Sequence, residues 1–285
     1  GGLVKTAEDF GVRGELPSHA GLLDWRAVEF ISSGWDTKHI QRLILSSATY
    51  SQRSHAGAED YRKDPDNRLL ARRHRMRLDA EEIRDASRAV SGLLVARLGG
   101  RSVYPYQPKG LWMELNNRPG YSRAYKQGKG DDLYRRSIYT FWKRTVPSPL
   151  LKTFDAPERE FCTIRRSRTN TPLQALVTLN DPRFVEAARV FGERILQFGG
   201  ASLQEKVVFA YRTVLTRSPE EHERTTLIAA FQEQRQKYAA DTEAAAALVQ
   251  QGEYRVQEGL DVPSVAAWTT MANVLLNLDE AITRE

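Results

Sequence analysis

The sequence is poor in the residues that build disulfide frameworks and metal centres: of 285 residues one is cysteine, Cys162, and five are histidine. A lone thiol excludes an internal disulfide and any multi-cysteine zinc or iron–sulfur site. Without a Cys-x-x-Cys-His run, these residues cannot attach a c-type haem. His19, His39, His55, His74 and His222 are scattered; none stands four residues from another and no His-Glu-x-x-His occurs, so a helical metal motif is excluded too. No apolar run approaches the roughly 20 residues that a membrane-crossing helix needs, and no transmembrane segment is expected. Nothing at the start combines a charged segment with an apolar signal core. The opening GGLVKTAEDFGVRG lacks methionine, so a piece of a longer chain is expected, and a missing leader then says nothing about compartment.

Apolar residues make up 41% of the sequence, ample for a buried core. The net charge of +6 conceals a polarity. Residues 1–170 carry 31 Lys and Arg against 20 Asp and Glu, whereas residues 171–285 carry 11 against 16. Either the basic segment faces an anionic partner or the two halves attract each other. The division that follows is a basic helical segment with an irregular loop and a β element over 1–170 and an acidic helical segment over 171–285, packed together as one domain.

Helix signals are frequent. Leu23, Ala27, Phe30 and Ile31 fall at helical spacing before Gly34, and Asp36 can cap a second helix carrying Ile40, Leu43, Ile44 and Ser47 on one face, which predicts a helical hairpin. Asp79 and Glu82 resemble a capping box ahead of Ile83, Ala86, Val90 and Leu94, with Gly99 and Gly100 ending the run. Thr171, Pro172 and Gln174 start one helix and Asp181 with Pro182 the next, whose Phe184, Ala188, Phe191 and Ile195 form a stripe. Ser202 with Glu205, and Ser218-Pro219 with Glu221, predict two more helices, and a last one carries Trp268, Met271, Leu275 and Leu278. Between these, residues 99–133 read as an irregular excursion with a mobile tip near Gly128–Asp132. YRRSIYTFWKRTV, starting at Tyr134, reads as the chain's one convincing strand.

Several clusters could carry chemistry. Residues 62–77 pack seven Lys and Arg against two acids. In a helix, Arg68, Arg72 and Arg75 would share a face and make an anion-binding ridge; the plainer reading is a solvated helix paired with the acidic half. Arg165, Arg166, Arg168 and Asn170 precede a helix N-terminus, where backbone N–H groups favour an anion, or they pin the loop by pairing with Asp155, Glu158 or Glu160. His19 with Asp24 could do acid/base work, although a loop histidine capping the next helix accounts for it. Cys162 has Arg159, Arg165 and Arg166 nearby to activate a thiolate, but Phe161 and Ile164 point to a buried, inert thiol. Tyr134, Tyr139, Phe141 and Trp142, interleaved with Arg135, Arg136, Lys143 and Arg144, suit either stacking on bases or sugars, or core packing.

The segments YRRSIYTFWKR, FDAPEREFCTIRRSRTNTPLQALVTLNDPRFVEAAR, DPDNRLLARRHRMRLDAEEIRDA, DFGVRGELPSHAGLLDW and WTTMANVLLNLDEAITRE together resemble the C-terminal domain of unknown function of the planctomycete cytochrome c family. The likeness runs over nearly the whole chain in the expected order. It implies an exported, periplasmic or otherwise extracytoplasmic protein with a cytochrome c domain and a further helical domain ahead of this module. Those domains would be its partners, and haem c would be held elsewhere in the full-length chain, with no cofactor in these residues. The resemblance supplies no catalytic residues.

The sequence thus predicts a mainly α, multi-helix domain with a small β element and a long irregular loop. Its predicted role is scaffolding, or docking of an acidic domain or an anionic polysaccharide. The alternative is an enzyme acting on polysaccharide or sugar, coupled to the attached haem domain, with His19, Asp24 and the arginine loop as participants. Nucleic-acid binding is disfavoured by export and by the acidic second half.

Overall fold

A computed structural model describes residues 2–9, 11–115 and 123–284. The described residues form thirteen α-helices and one two-stranded sheet, so the protein is mainly α. Contacts group them into two compact units. The first takes the chain up to Arg77, the short stretch Cys162–Arg166 and the residues from Thr283; the second takes Leu78–Phe161 and Ser167–Ile282. The division by contacts therefore falls elsewhere than the change in charge at residue 170.

The first unit holds α1 (Ala20–Ser32), α2 (Thr37–Leu45), α3 (Ala58–Lys63) and the strands β1 (Met76–Arg77) and β2 (Thr283–Arg284), which pair antiparallel. The predicted hairpin is present. Asp36 caps α2 by accepting from the N–H groups of Lys38 at 2.8 Å and His39 at 3.1 Å, and Glu29 of α1 bonds His39 of α2 at 2.6 Å. Residues 64–75 are not helical, so the arginine ridge does not form: Arg68, Arg72 and Arg75 lie on an irregular run.

The second unit comprises α4 (Ala80–Ser91), α5 (Leu111–Leu115), α6 (Pro149–Thr153), α7 (Pro172–Asn180), α8 (Pro182–Phe198), α9 (Leu203–Leu215), α10 (Glu221–Ala240), α11 (Thr242–Val249), α12 (Val262–Leu276) and α13 (Asp279–Ile282). The capping boxes at Asp79, Thr171 and Ser202 start their helices as the sequence predicts. That of α10 sits two residues later than Ser218, with Glu220 as the cap and its N–H donated to Glu223 at 2.7 Å. α4 stops at Ser91, eight residues before the Gly-Gly pair, because Gly92 takes a left-handed conformation with φ of 85°. Phe191 and Ile195 of α8, Val207 and Tyr211 of α9, Phe231 of α10 and Trp268, Met271 and Leu275 of α12 form the main apolar core. α7 is inverted: Leu173, Leu176 and Leu179 face outward, while buried Gln174 donates to Thr153 O at 2.9 Å and buried Thr178 bonds carbonyls of its own helix.

Residues 134–146, which composition reads as a strand, do not form one. The Arg135 side chain turns inward instead, 1% exposed, donating to the carbonyls of Arg97 at 2.9 Å and Arg101 at 3.2 Å and lying 3.7 Å over the Tyr139 ring. The Asp85 carboxylate takes the Ser137 N–H at 2.9 Å, and Ser137–Tyr139 winds into a 3₁₀ turn, leaving two isolated bridges in place of a ladder. Nearby, Gly128–Asp132, expected as a mobile tip, is tied by the Gly128 N–H to Tyr104 O at 2.8 Å, and Gly130–Leu133 forms a 3₁₀ turn that buries Leu133.

Along α8 runs a buried file of charges: Arg183, Glu186, Arg189 and Glu193. Glu186 Oε1 accepts from the hydroxyls of Tyr106 at 3.0 Å and Tyr134 at 2.9 Å and from the N–H groups of Glu253 and Tyr254, both at 2.7 Å. Arg189 pairs with Glu193 at 2.6 Å and donates to Tyr254 O at 2.7 Å, and Arg183 holds Asp181 and Tyr106 O. Burial, with the Glu186 charge acting in the same direction, pushes the Tyr106 phenol up to about 12. Gly252 has φ of 90°, and a β-carbon there would overlap the Glu186 carboxylate. Glu186→Ala is expected to destabilise the second unit by about 3 kcal/mol, since it removes the acceptor shared by the buried Tyr134 hydroxyl and three half-buried donors and leaves the Arg189 end of the charge file without it. Gly252→Ala should also lower the urea midpoint; a midpoint unchanged in both variants would refute the assignment.

Candidate binding cleft

The α1–α2 hairpin is too short to bury its own apolar residues, and none of its side chains is fully buried. What closes over one side of it is the irregular run 64–76. Two backbone N–H groups, those of Leu69 at 2.7 Å and Arg68 at 2.8 Å, bond the Asp64 carboxylate and hold it below the usual carboxylate range. The Arg72 guanidinium folds back onto the carbonyls of Asp64 at 2.7 Å and Pro65 at 2.9 Å and lies 4.4 Å over the Tyr61 ring. Its Nη1 is buried without a hydrogen-bond partner among the described residues. The Arg73 N–H donates to Arg53 O at 3.0 Å, and its guanidinium lies 4.7 Å over the Tyr50 ring. Pairing of β1 with β2 adds Arg284 to the same wall.

The result, wholly within the first unit, is a cleft of about 510 Å³, inside the range of about 300–1,000 Å³ typical of ligand pockets. Leu22 and Trp25 of α1, Ile40, Leu43 and Ile44 of α2, and Leu70 and Met76 make its walls apolar. Arg26, Arg72, Arg73, His74 and Arg284 line it as well, with the hydroxyls of Ser47, Thr49 and Tyr50; among the described residues no carboxylate and no amide side chain does. Trp25 is 51% exposed, so its ring is open to contact. A groove of about 600 Å³ in the second unit, between α9, α10 and α12, also holds two cations. There Lys206 donates to Gly200 O at 2.6 Å and Arg235 to Ser264 Oγ at 3.0 Å, and the amides of Gln232 and Gln236 line the groove as well.

Of the candidate site residues singled out by sequence, only Arg72 lines this cleft, beside the Ile40, Leu43, Ile44 and Ser47 face expected of the second helix. His19 occupies the N-cap position of α1 without capping it, and its Nδ1 lies 3.0 Å from Ser18 Oγ; Asp24 is exposed on α1. Arg68 pairs with Glu15 at 3.0 Å, and Arg75 is exposed. In the loop before α7, Arg165 and Asn170 are exposed, Arg166 is half-buried, and Arg168 pairs with Asp79 at 3.4 Å. Asp155, proposed as an anchor for that loop, serves it through Thr169, whose N–H it accepts at 2.8 Å. Cys162 is exposed with Phe161 and Ile164, so the expectation of a buried thiol is corrected: the loop turns these apolar side chains outward. The aromatics of 134–142 pack on the chain itself, as in the Tyr104–Phe141 stack at 4.8 Å. Sequence reasoning missed Trp25, Arg26, Tyr50, Arg73 and His74. Trp25 and Arg26 stand at helical spacing from Leu22, a signal that was present, but nothing local announces that Tyr50 and Arg73 meet.

A single exposed cysteine does not fit a covalently held haem. Among the described residues, no group of three or more His, Cys, Asp or Glu side chains is placed to hold a metal ion, and no helix is long and apolar enough to cross a membrane. A family model described as PSD1, a protein of unknown function (DUF1553), matches residues 1–231. No curated protein and no solved structure matches the chain.

The cleft has a pH signature of its own. Burial holds the His74 imidazole below its ordinary value of 6.5, and the positive charge of Arg72 adds to this while Asp64 opposes it. The folded chain therefore binds this proton less readily than the unfolded one. The contribution of neutral His74 to stability is present above the unfolded value and lost as pH falls through the folded one. In His74→Gln, the fall in thermal midpoint from about pH 7 to about pH 5 should be smaller than in the parent protein; an equal fall would assign the acid sensitivity elsewhere.

Proposed function

Because the chain belongs to the PSD1 family of proteins of unknown function (DUF1553), for which the matched model supplies no activity, we propose a role read from its own surface: it docks an anionic partner through the cleft of its first unit. One observation carries this reading. Among the described residues, four arginines and a histidine line an apolar cleft to which no Asp or Glu side chain contributes. Guanidinium groups beside low-dielectric walls attract carboxylate or sulfate more strongly than the same groups in open water. Arg72 Nη1, buried and without a hydrogen-bond partner among the described residues, adds donor capacity beside the cleft.

On this reading the protein is a helical docking module of a larger exported, cytochrome c-associated polypeptide. The cytochrome part rests on the sequence resemblance alone, with haem carried by other domains. Docking is favoured over sugar chemistry because neither His19, Asp24, Arg166 nor Arg168 lines the cleft, and among the described residues no carboxylate faces it to pair with His74.

Titration of Trp fluorescence with polyglutamate and with a sulfated polysaccharide, over roughly 50–300 mM salt, tests the reading. Affinity should fall at least about tenfold across the series as the Debye length shortens from about 14 to 6 Å, and Arg73→Glu should weaken binding by a similar factor. Binding indifferent to both salt and Arg73→Glu would overturn it.

A further inference from the structure

The walls of the cleft say more about its occupant than its charge does. We infer that the cleft takes an acidic polypeptide segment anchored by apolar side chains, and not a glycan; this inference rests on the docking reading above. A sugar presents hydroxyl groups on every edge, and each one removed from water needs an acceptor as well as a donor. Among the described residues the lining contains no Asp, Glu, Asn or Gln, so the side-chain acceptors that could orient a sugar are limited to the hydroxyls of Ser47, Thr49 and Tyr50 and the His74 ring. Leu22, Leu43, Leu70 and Met76 offer instead a surface that gains only by covering apolar atoms. Arg26 of α1 supplies a planar fork of the kind that binds a carboxylate in a pair of hydrogen bonds, and Arg73 and Arg284 add positive charge to the same walls.

A segment in which apolar residues alternate with Asp or Glu meets both demands at once: its apolar side chains enter between α1 and α2 while its carboxylates meet the guanidinium groups. This is the manner in which amphipathic segments seat themselves in grooves. The surrounding surface fits an occupant longer than the cleft. Val28 and Ile31 of α1 and Leu45 of α2 are more than half exposed, so the hairpin continues to offer apolar contact beyond the cleft walls.

The experiment compares three probes against the intact chain by calorimetry. They are an acidic peptide with a leucine every three or four residues, the same peptide with each leucine replaced by serine, and a sulfated polysaccharide. The leucine peptide should bind at least tenfold more tightly than the serine peptide and the polysaccharide, and Trp25→Ala and Arg26→Glu should each weaken it about tenfold. Both substitutions fall on exposed or half-exposed helix positions, and circular dichroism checks that the fold is kept. Equal or tighter binding of the polysaccharide would sink this inference and leave the docking reading standing. Failure of all three probes to bind would sink both. Tight peptide binding that neither substitution weakens would move the site away from this cleft and overturn the inference.

Discussion

The second unit depends on one buried carboxylate. Glu186 stands 1% exposed in the middle of α8, and two phenols and two backbone N–H groups converge on a single oxygen of it. A charge so far from water is tolerable only when its hydrogen bonds are made. The need is met by segments distant in sequence: the loop at Tyr106, the 3₁₀ turn ending at Tyr134, and the turn after α11. Each is irregular, and none has a strand or long helix to fix it. The carboxylate is thus what gives three wandering segments a common address. Arg189 with Glu193 and Arg183 with Asp181 repeat the device along the same helix.

Arginine serves two purposes in this chain, and burial separates them. Arg84, Arg88, Arg135 and Arg189 are enclosed, donating chiefly to backbone carbonyls, where they replace the ladders that irregular chain lacks. Burial and the neighbouring Arg88 charge pull the Arg84 guanidinium well below its ordinary value, a measure of how little solvent reaches it. In the first unit Arg72 does both, bracing the backbone of its own loop while flanking the cleft. A count of positive charge along the sequence cannot tell these uses apart, which is why the basic run at 62–77 reads as a surface ridge and folds as a wall.

The helices of the second unit were legible because their signals are local. A cap, a proline and an apolar stripe lie within a dozen residues of one another, so Thr171, Asp181 and Ser202 announce the helices they start. Residues 134–146 were not legible, because what decides them is the Arg135 side chain reaching carbonyls more than thirty positions away. The early stop of α4 comes at Gly92, the first of three glycines that all take positive φ, and an apolar stripe running past it to Leu94 masks the break. The cleft was legible least of all. Its lining runs from Leu22 to Arg284, and only the antiparallel pairing of Met76 with Arg284 brings the last of these residues to the others.

That pairing has a temporal meaning. β1 and β2 are separated by some two hundred residues, and the whole second unit lies between them in sequence. A ribosome delivers Met76 long before Arg284, so the first unit has one wall absent while the helices of the second unit, α12 of the main core included, are being made. The lining of the cleft is therefore complete only after Ile282 has been delivered. A nascent chain that stops within the intervening helices has the α1–α2 hairpin but not the finished wall.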